Sequence, residues 1–288
     1  MRDFIDIQSN DNALFVTAQC NNRCVMCCQP PLNHNDIDGY FAKNCSLIDA
    51  VPSTLPSIGI TGGEPTLAGK RLFDLIRHIR QKLPDTEIHL LTNGRTFANK
   101  AYAHELAACG DGKILVGIPL HSDSAIEHDA ITQVKGSFDE TMLGLYNLDR
   151  YGVGIELRVV ISKMNYQRFP KLPSFIYRNL PFVEFISLMG LEYTGYTIKN
   201  HDSVWIDTLD YQSELEAAVR ELNNWGMNVS IFNLSRCVLP KDLWPFARKS
   251  ISDWKNVYAD CCESCSEKSE CCGLFATSKV QSRGIYPI

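Results

Sequence analysis

Between residues 14 and 189, short runs of β-branched and apolar residues alternate with longer stretches of helical periodicity, and few folds accept that rhythm. The runs at 14–17, 57–61, 87–91, 113–119, 154–161 and 183–189 read as strands. Between the second and third, Leu72, Leu75, Ile76, Ile79 and Leu83 recur at helix spacing. Ser137 with Glu140 reads as a capping box opening the helix that carries Met142, Leu145 and Leu148. Six βα units in roughly 190 residues predict an α/β protein built as a partial (β/α)6 TIM-like barrel, too short of strands to close the usual eight. Asp210 is expected to cap a further helix over 211–225, stopped by Gly226 and followed by a strand over 228–232. Beyond it the pattern turns irregular, and its Cys, Gly and Ser content predicts a small appendage organised by a metal more than by a core. The expected division is therefore a barrel over 1–206 and a C-terminal part over 207–288.

Composition narrows the function classes. With 288 residues, 45% of them hydrophobic, the chain can bury a substantial core. A net charge of -5 argues against bulk electrostatic binding of nucleic acid, which shows as a basic stripe. No apolar run approaches the ~18 residues that span a bilayer, and the acidic, polar start does not read as a secretory signal, so no membrane is expected and the address is cytoplasmic.

Twelve cysteines are the unusual feature, because a chain this long has no need of disulfide staples and cytosolic thiols stay reduced. Metal explains them better. Cys20, Cys24, Cys27 and Cys28 form one clump, Cys261, Cys262, Cys265, Cys271 and Cys272 another, and Cys45, Cys109 and Cys237 stand apart. Cys20, Cys24 and Cys27 follow the first strand, so a loop at its C-terminal end presents three thiolates. Structural zinc and the clusters of electron carriers take four ligands; three leave a metal position open for a reactant. Cys28 reads as a bystander, since adjacent side chains diverge.

Cys-x3-Cys-x2-Cys on such a loop resembles the radical S-adenosylmethionine superfamily, and Thr61-Gly62-Gly63-Glu64-Pro65 after the second strand strengthens the resemblance. It implies a [4Fe–4S] cluster on Cys20, Cys24 and Cys27 with one open iron, and S-adenosylmethionine held by Gly62, Gly63 and Glu64. Asn93, in Thr92-Asn93-Gly94, and Arg158 on the fifth strand resemble its ribose-contacting positions. Met26 stands where the family carries an aromatic residue beside the adenine; a thioether also packs a ring. His121 reads equally as an active-face residue or as a hydrogen-bonded histidine at a strand end.

Cys262, Cys265 and Cys271 resemble the auxiliary-cluster module called SPASM or twitch, with Phe275 where a full SPASM motif continues with cysteine. That likeness implies a second [4Fe–4S] cluster with Cys237 as the fourth ligand and Cys261 and Cys272 as substitutes. Four-cysteine zinc fits the spacing as well. The stretches 191–196, 244–256, 272–275 and 282–288 resemble the radical maturases of His-Xaa-Ser peptide systems. The resemblance implies an oxidoreductase or transferase that cleaves S-adenosylmethionine reductively to a 5′-deoxyadenosyl radical and modifies a ribosomally made peptide. Its one-electron reductant would be an external flavodoxin or ferredoxin. Two alternatives stand beside this: a radical enzyme acting on a small molecule, for example by sulfur insertion, and a non-catalytic iron–sulfur or zinc module. No residue is assigned a proton-transfer or radical-quenching role.

Overall fold

Apolar side chains alternate along the strands, and the alternation builds a sheet. The strands are β1 (Ala13–Phe15), β2 (Ser57–Thr61), β3 (Glu87–Leu91), β4 (Ile114–Pro119), β5 (Gly154–Val160), β6 (Phe185–Met189), β7 (Val229–Phe232) and β8 (Ala247–Arg248). They form one eight-stranded sheet in sequence order, and the ladders β1–β2, β2–β3, β3–β4, β6–β7 and β7–β8 are parallel. The structure is a computed structural model and describes residues 4–9, 11–34, 36–52, 54–250, 252–277 and 280–288; Ile251, within one of the stretches quoted above, lies outside them. The chain divides into two compact units, and the division passes through β5.

One unit holds the stretch ending at Arg23, Pro30–Pro119 and Gly136–Glu156. Ile58 and Ile60 on β2, Ile88 and Leu90 on β3, and Val116 and Ile118 on β4 are buried, with Ile58 opposite Ile88 in the ladder. Each such side chain contributes about 1.5–3 kcal/mol. The helix Lys70–Lys82 buries Leu72, Leu75, Ile76 and Ile79, the predicted stripe. The helix Ser137–Arg150 also forms, but without the expected capping box: Gly136 is its N-cap with no side-chain cap bond, and the Glu140 carboxylate accepts from Arg95 Nε at 2.6 Å instead. A charged donor outbids the helix's own backbone N–H.

The other unit holds Cys24–Gln29, Leu120–Lys135 and Leu157–Ile288. The expected strand at 228–232 is β7, and it pairs in parallel with β6, Val229 opposite Ile186. With β8 it brings the sheet to eight strands, two more than the rhythm of residues 14–189 predicts. The helix Gln212–Asn224 buries Leu215, Ala218, Val219 and Leu222. Asp210 does not cap it, because Tyr211 is the N-cap and the Asp210 carboxylate is taken by the Arg283 guanidinium. A short antiparallel ladder, β9 (Asn256–Val257) with β10 (Leu274–Phe275), organises the cysteine-rich end. Among the described residues no helix is long and apolar enough to cross a membrane.

One buried side chain ties the first helix to the first strand. Asn44, 3% exposed in the helix Ile37–Asp49, donates its Nδ2 to Phe15 O at 2.9 Å. Asn44→Leu keeps the volume but removes the donor, and should lower unfolding free energy by about 1–3 kcal/mol with unchanged far-UV circular dichroism. A urea midpoint equal to that of the parent chain would contradict this assignment.

Candidate functional site

The site begins where the turns after β1 and β2 meet. Gly63 N donates to Thr17 O and Glu64 N to Gln19 O, each at 2.7 Å, so the segment leading into Cys20 is stitched to Gly62-Gly63-Glu64. A Cβ on Gly62 would lie 2.5 Å from Thr17 O, and one on Gly63 2.2 Å from Gln19 O. Only glycine admits that approach. The sequence reading assigns this pair to a ligand; the structure also gives it a protein partner, the backbone that carries the first cysteine.

Glu64 is fully buried. Its Oε1 accepts from Thr66 N at 3.0 Å, Thr66 Oγ1 at 2.7 Å and Thr92 Oγ1 at 2.6 Å, and its Oε2 accepts from Asn93 N at 2.6 Å. The carboxylate thus joins the turn after β2 to the turn after β3. Asn93 continues the chain of contacts: its Nδ2 donates to Asn21 Oδ1 at 2.6 Å and lies 3.9 Å from Cys20 Sγ. Arg95 Nη1 donates to Asn21 O at 2.8 Å and to Asn22 Oδ1 at 2.7 Å. Burial pushes the Cys20 thiol up, while the Asn22 N–H, 3.3 Å from the sulfur, pulls the other way. Thr66 and Arg95 carry no motif of their own, and Thr92 enters only as the residue before Asn93; the sequence signal for all three is their place in the turns beside Glu64 and Asn93.

Cys24, Met26 and Cys27 lie in the other unit, on an arm held at several backbone points. Val25 N donates to Ile131 O at 2.9 Å, Asn200 Nδ2 to Val25 O at 2.7 Å, and Tyr196 N to Cys27 O at 2.9 Å. Gly195, with φ 58°, lets its turn press on this arm, since a Cβ there would sit 2.3 Å from Cys27 O. Met26 is buried in a cluster with Ile131 and Val204. Arg158 on β5 places Nη2 3.4 Å from Met189 Sδ on β6. His121 is buried; its backbone N–H donates to His128 Nδ1 at 3.2 Å and its carbonyl accepts from Asn165 Nδ2 at 2.7 Å. Its ring Nδ1 has no hydrogen-bond partner among the described residues, and burial, with His128 alongside, pulls its pKa down to about 3.

The C-terminal cysteines sort themselves around one pocket in the same unit. Cys237, Cys262, Cys265 and Cys271 line it together with Arg236 and Tyr258, whereas Cys261 and Cys272 do not. Among the described residues no group of three His, Cys, Asp or Glu side chains closes on a single metal ion, so the thiols surround a space without converging on a point. Cys271 Sγ accepts from Arg236 N and Gly273 N, each at 3.3 Å. A hydrogen bond from Cys272, these two N–H groups and the Arg236 guanidinium pull Cys271 down to about 6 against its burial. Cys272 is correspondingly pushed up by the shared bond and by burial. Burial raises Cys237 and Cys262 as well. Phe275 is buried in β10 with Lys255 Nζ 5.0 Å from its ring centroid, an apolar use of the place where a full SPASM motif has cysteine.

Two measurements follow from this geometry. Glu64→Gln places an amide NH2 among converging donors, and should cost about 2–4 kcal/mol of stability on urea unfolding, where a surface Glu→Gln change costs almost nothing. His121 titrates near 6.5 when unfolded and near 3 when folded, so between those values the unfolded chain binds the extra proton and stability falls with acidification. Between pH 6 and pH 4, His121→Asn should make the slope of unfolding free energy shallower by up to about 1.4 kcal/mol per pH unit; parallel slopes would refute the buried neutral imidazole.

Known proteins resemble part of this chain. The family model of the radical SAM superfamily matches residues 14–176, more than half of the chain. The Fe-coproporphyrin III synthase of Methanosarcina barkeri is 32% identical over 162 residues, 54% of this chain and 38% of that protein. A cysteine-type anaerobic sulfatase-maturating enzyme of Clostridium novyi is 24% identical over 186 residues, 59% of this chain and 48% of that protein. The chain therefore spans about half or less of the length of these relatives. Among solved structures, Streptococcus suis SuiB bound to S-adenosylmethionine superposes with a TM-score of 0.62 over 86% of this chain and 55% of that one, at 17% identity, a likeness of fold. The matched residues run from β1, through the Cys20 loop and the Gly62-Gly63-Glu64 turn, into the helix Leu172–Asn179, and on that ground the chain belongs to the radical SAM superfamily.

Proposed function

We propose that this protein is a radical SAM enzyme that modifies a ribosomally made peptide of the His-Xaa-Ser type. The observation that carries the enzymatic reading is the stitching of the segment bearing Cys20, the first cysteine of the motif, to Gly62-Gly63-Glu64 and to Asn93. The donor set fits a [4Fe–4S] cluster on Cys20, Cys24 and Cys27: three cysteines are offered, and N–H groups of Asn22 and Asn93 stand at the Cys20 sulfur. When bound, that cluster and S-adenosylmethionine supply a one-electron reductive cleavage that yields a 5′-deoxyadenosyl radical for hydrogen abstraction.

The chain's own share is to hold and to orient. Gly62 and Gly63 keep the turn close enough for its backbone to serve the amino-acid end of S-adenosylmethionine, and Glu64 acts mainly by locking that turn to Asn93. Asn93 and Arg158 bear on the ribose, and Met26 supports the adenine side from its apolar cluster. Cys237, Cys262, Cys265 and Cys271 hold a second [4Fe–4S] cluster; the fit rests on four thiols around one cavity and on a buried donor of Arg236 that has no partner among the described residues. An external flavodoxin or ferredoxin delivers the electron, and the chemistry belongs in the cytoplasm.

Support for a peptide substrate comes from the C-terminal stretches that resemble the His-Xaa-Ser maturases and from SuiB, whose structure has also been determined with its precursor peptide SuiA. A small-molecule substrate is the second reading, favoured by the 32% identity with a coproporphyrin synthase. The two separate cleanly: incubation with a His-Xaa-Ser peptide should change its mass when S-adenosylmethionine is present, and an unaltered peptide would leave the small-molecule reading. Anaerobically reconstituted and reduced protein should release 5′-deoxyadenosine on chromatography, with release abolished in Cys24→Ala. Cys271→Ala should still release it while losing the iron of one cluster; if both variants behave alike, the two cysteine sites do not have separate roles.

A further inference from the structure

One buried polar atom of a residue that lines the C-terminal cysteine cavity lacks a partner among the described residues. Arg236 lines the cavity with a side chain only 15% exposed, and its Nε is buried with no hydrogen bond among the described residues. The rest of the guanidinium is held: Nη1 donates to Glu267 Oε2 at 2.5 Å, and Cζ lies 5.6 Å from the Trp244 ring centroid. The Nε–H of an arginine is a permanent donor, and a buried donor left alone costs about 1–3 kcal/mol unless something seated beside it accepts. Such an orphan calls for an explanation, and an acceptor seated in the adjoining space is one. The same residue already serves the sulfur ligands, since its backbone N–H donates to Cys271 Sγ at 3.3 Å. A side-chain donor, a positive charge and a backbone donor therefore come to one cavity from one position.

Resting on the second-cluster reading above, we propose that Arg236 is a positioning residue that raises the reduction potential of the cluster in this cavity, with Nε–H as a hydrogen-bond donor to its sulfur. Reduction adds negative charge to a cluster, and a nearby cation and N–H···S bonds stabilise the more negative state. Glu267, paired to the same guanidinium, opposes this and trims the effect. The rigid seat explains why arginine stands here: the Glu267 pair and the Trp244 ring hold the planar fork while Nε stays available.

The test uses the full chain carrying Cys20→Ala, Cys24→Ala and Cys27→Ala, so that any remaining iron belongs to the second cavity. After anaerobic reconstitution, iron and sulfide are quantified and the midpoint potential is read by redox titration followed by electron paramagnetic resonance. Arg236→Gln, added to this chain, should move the midpoint to a more negative potential at unchanged iron content, with Arg236→Lys in between because it keeps charge but loses the fork. Glu267→Gln should move it the opposite way. Equal potentials for the parent chain and both neutral variants, at full iron, would overturn the role of Arg236 while leaving the cluster in place. If Arg236→Gln loses its iron, Glu267→Gln decides: a rise in potential supports the proposal and no rise overturns it. A parent chain without iron, or with stoichiometric zinc, overturns the cluster reading and the proposal with it.

Discussion

Four donors converging on a fully buried carboxylate organise the first unit's end of this molecule. Glu64 bonds within its own turn through Thr66 and reaches the next turn through Thr92 and Asn93, so two loops that follow different strands are fixed to one group. The Asn93 side chain then passes the restraint to Asn21, and Arg95 passes it to Asn21 and Asn22. Each neutral bond of this kind has a modest net value, about 0.5–1.5 kcal/mol, and bonds to an ionised group about 1.5–3. Their arrangement matters more than their sum. Any displacement of the Cys20 loop must break bonds to groups that are themselves anchored, and a loop is thereby held with the precision of an element.

Much of this was legible in the residues, and the part that was not has a physical reason. The strand rhythm anticipated β1 to β6 closely because buried parallel strands read as apolar runs and their crossover helices as amphipathic stripes. Gly62-Gly63-Glu64 was recognisable as a chemical motif, yet its pattern says nothing of the partner. A glycine pair admits a ligand or a backbone equally, and Glu64 answers to an ammonium or to hydroxyl and amide donors equally. The Ser137–Glu140 box and the Asp210 cap were plausible local choices that lost to Arg95 and Arg283, residues 45 and 73 positions distant along the chain. Long-range charge competes with local capping at similar strength, and no window of a dozen residues contains it. The set Cys237, Cys262, Cys265 and Cys271 was assembled from a resemblance, and the cavity gathers the same four.

Doubled cysteines show most plainly what a structure adds. Cys261-Cys262 and Cys271-Cys272 each offer two thiols within one residue of each other, and spacing alone does not choose between neighbours. Backbone geometry does, because successive side chains diverge and only one of each pair faces a given space. Cys262 and Cys271 line the cavity, Cys261 is exposed, and Cys272 is buried with its Sγ 3.3 Å from Gly273 O. Electrostatics then reinforces the choice at the second doublet. Cys271 takes two backbone N–H bonds and sits near a guanidinium, so negative charge settles on it, while Cys272 keeps the proton. A sulfur held as a thiolate is the form that binds metal or reacts, so the doublet separates one charged sulfur with its hydrogen-bonding support from one protonated neighbour.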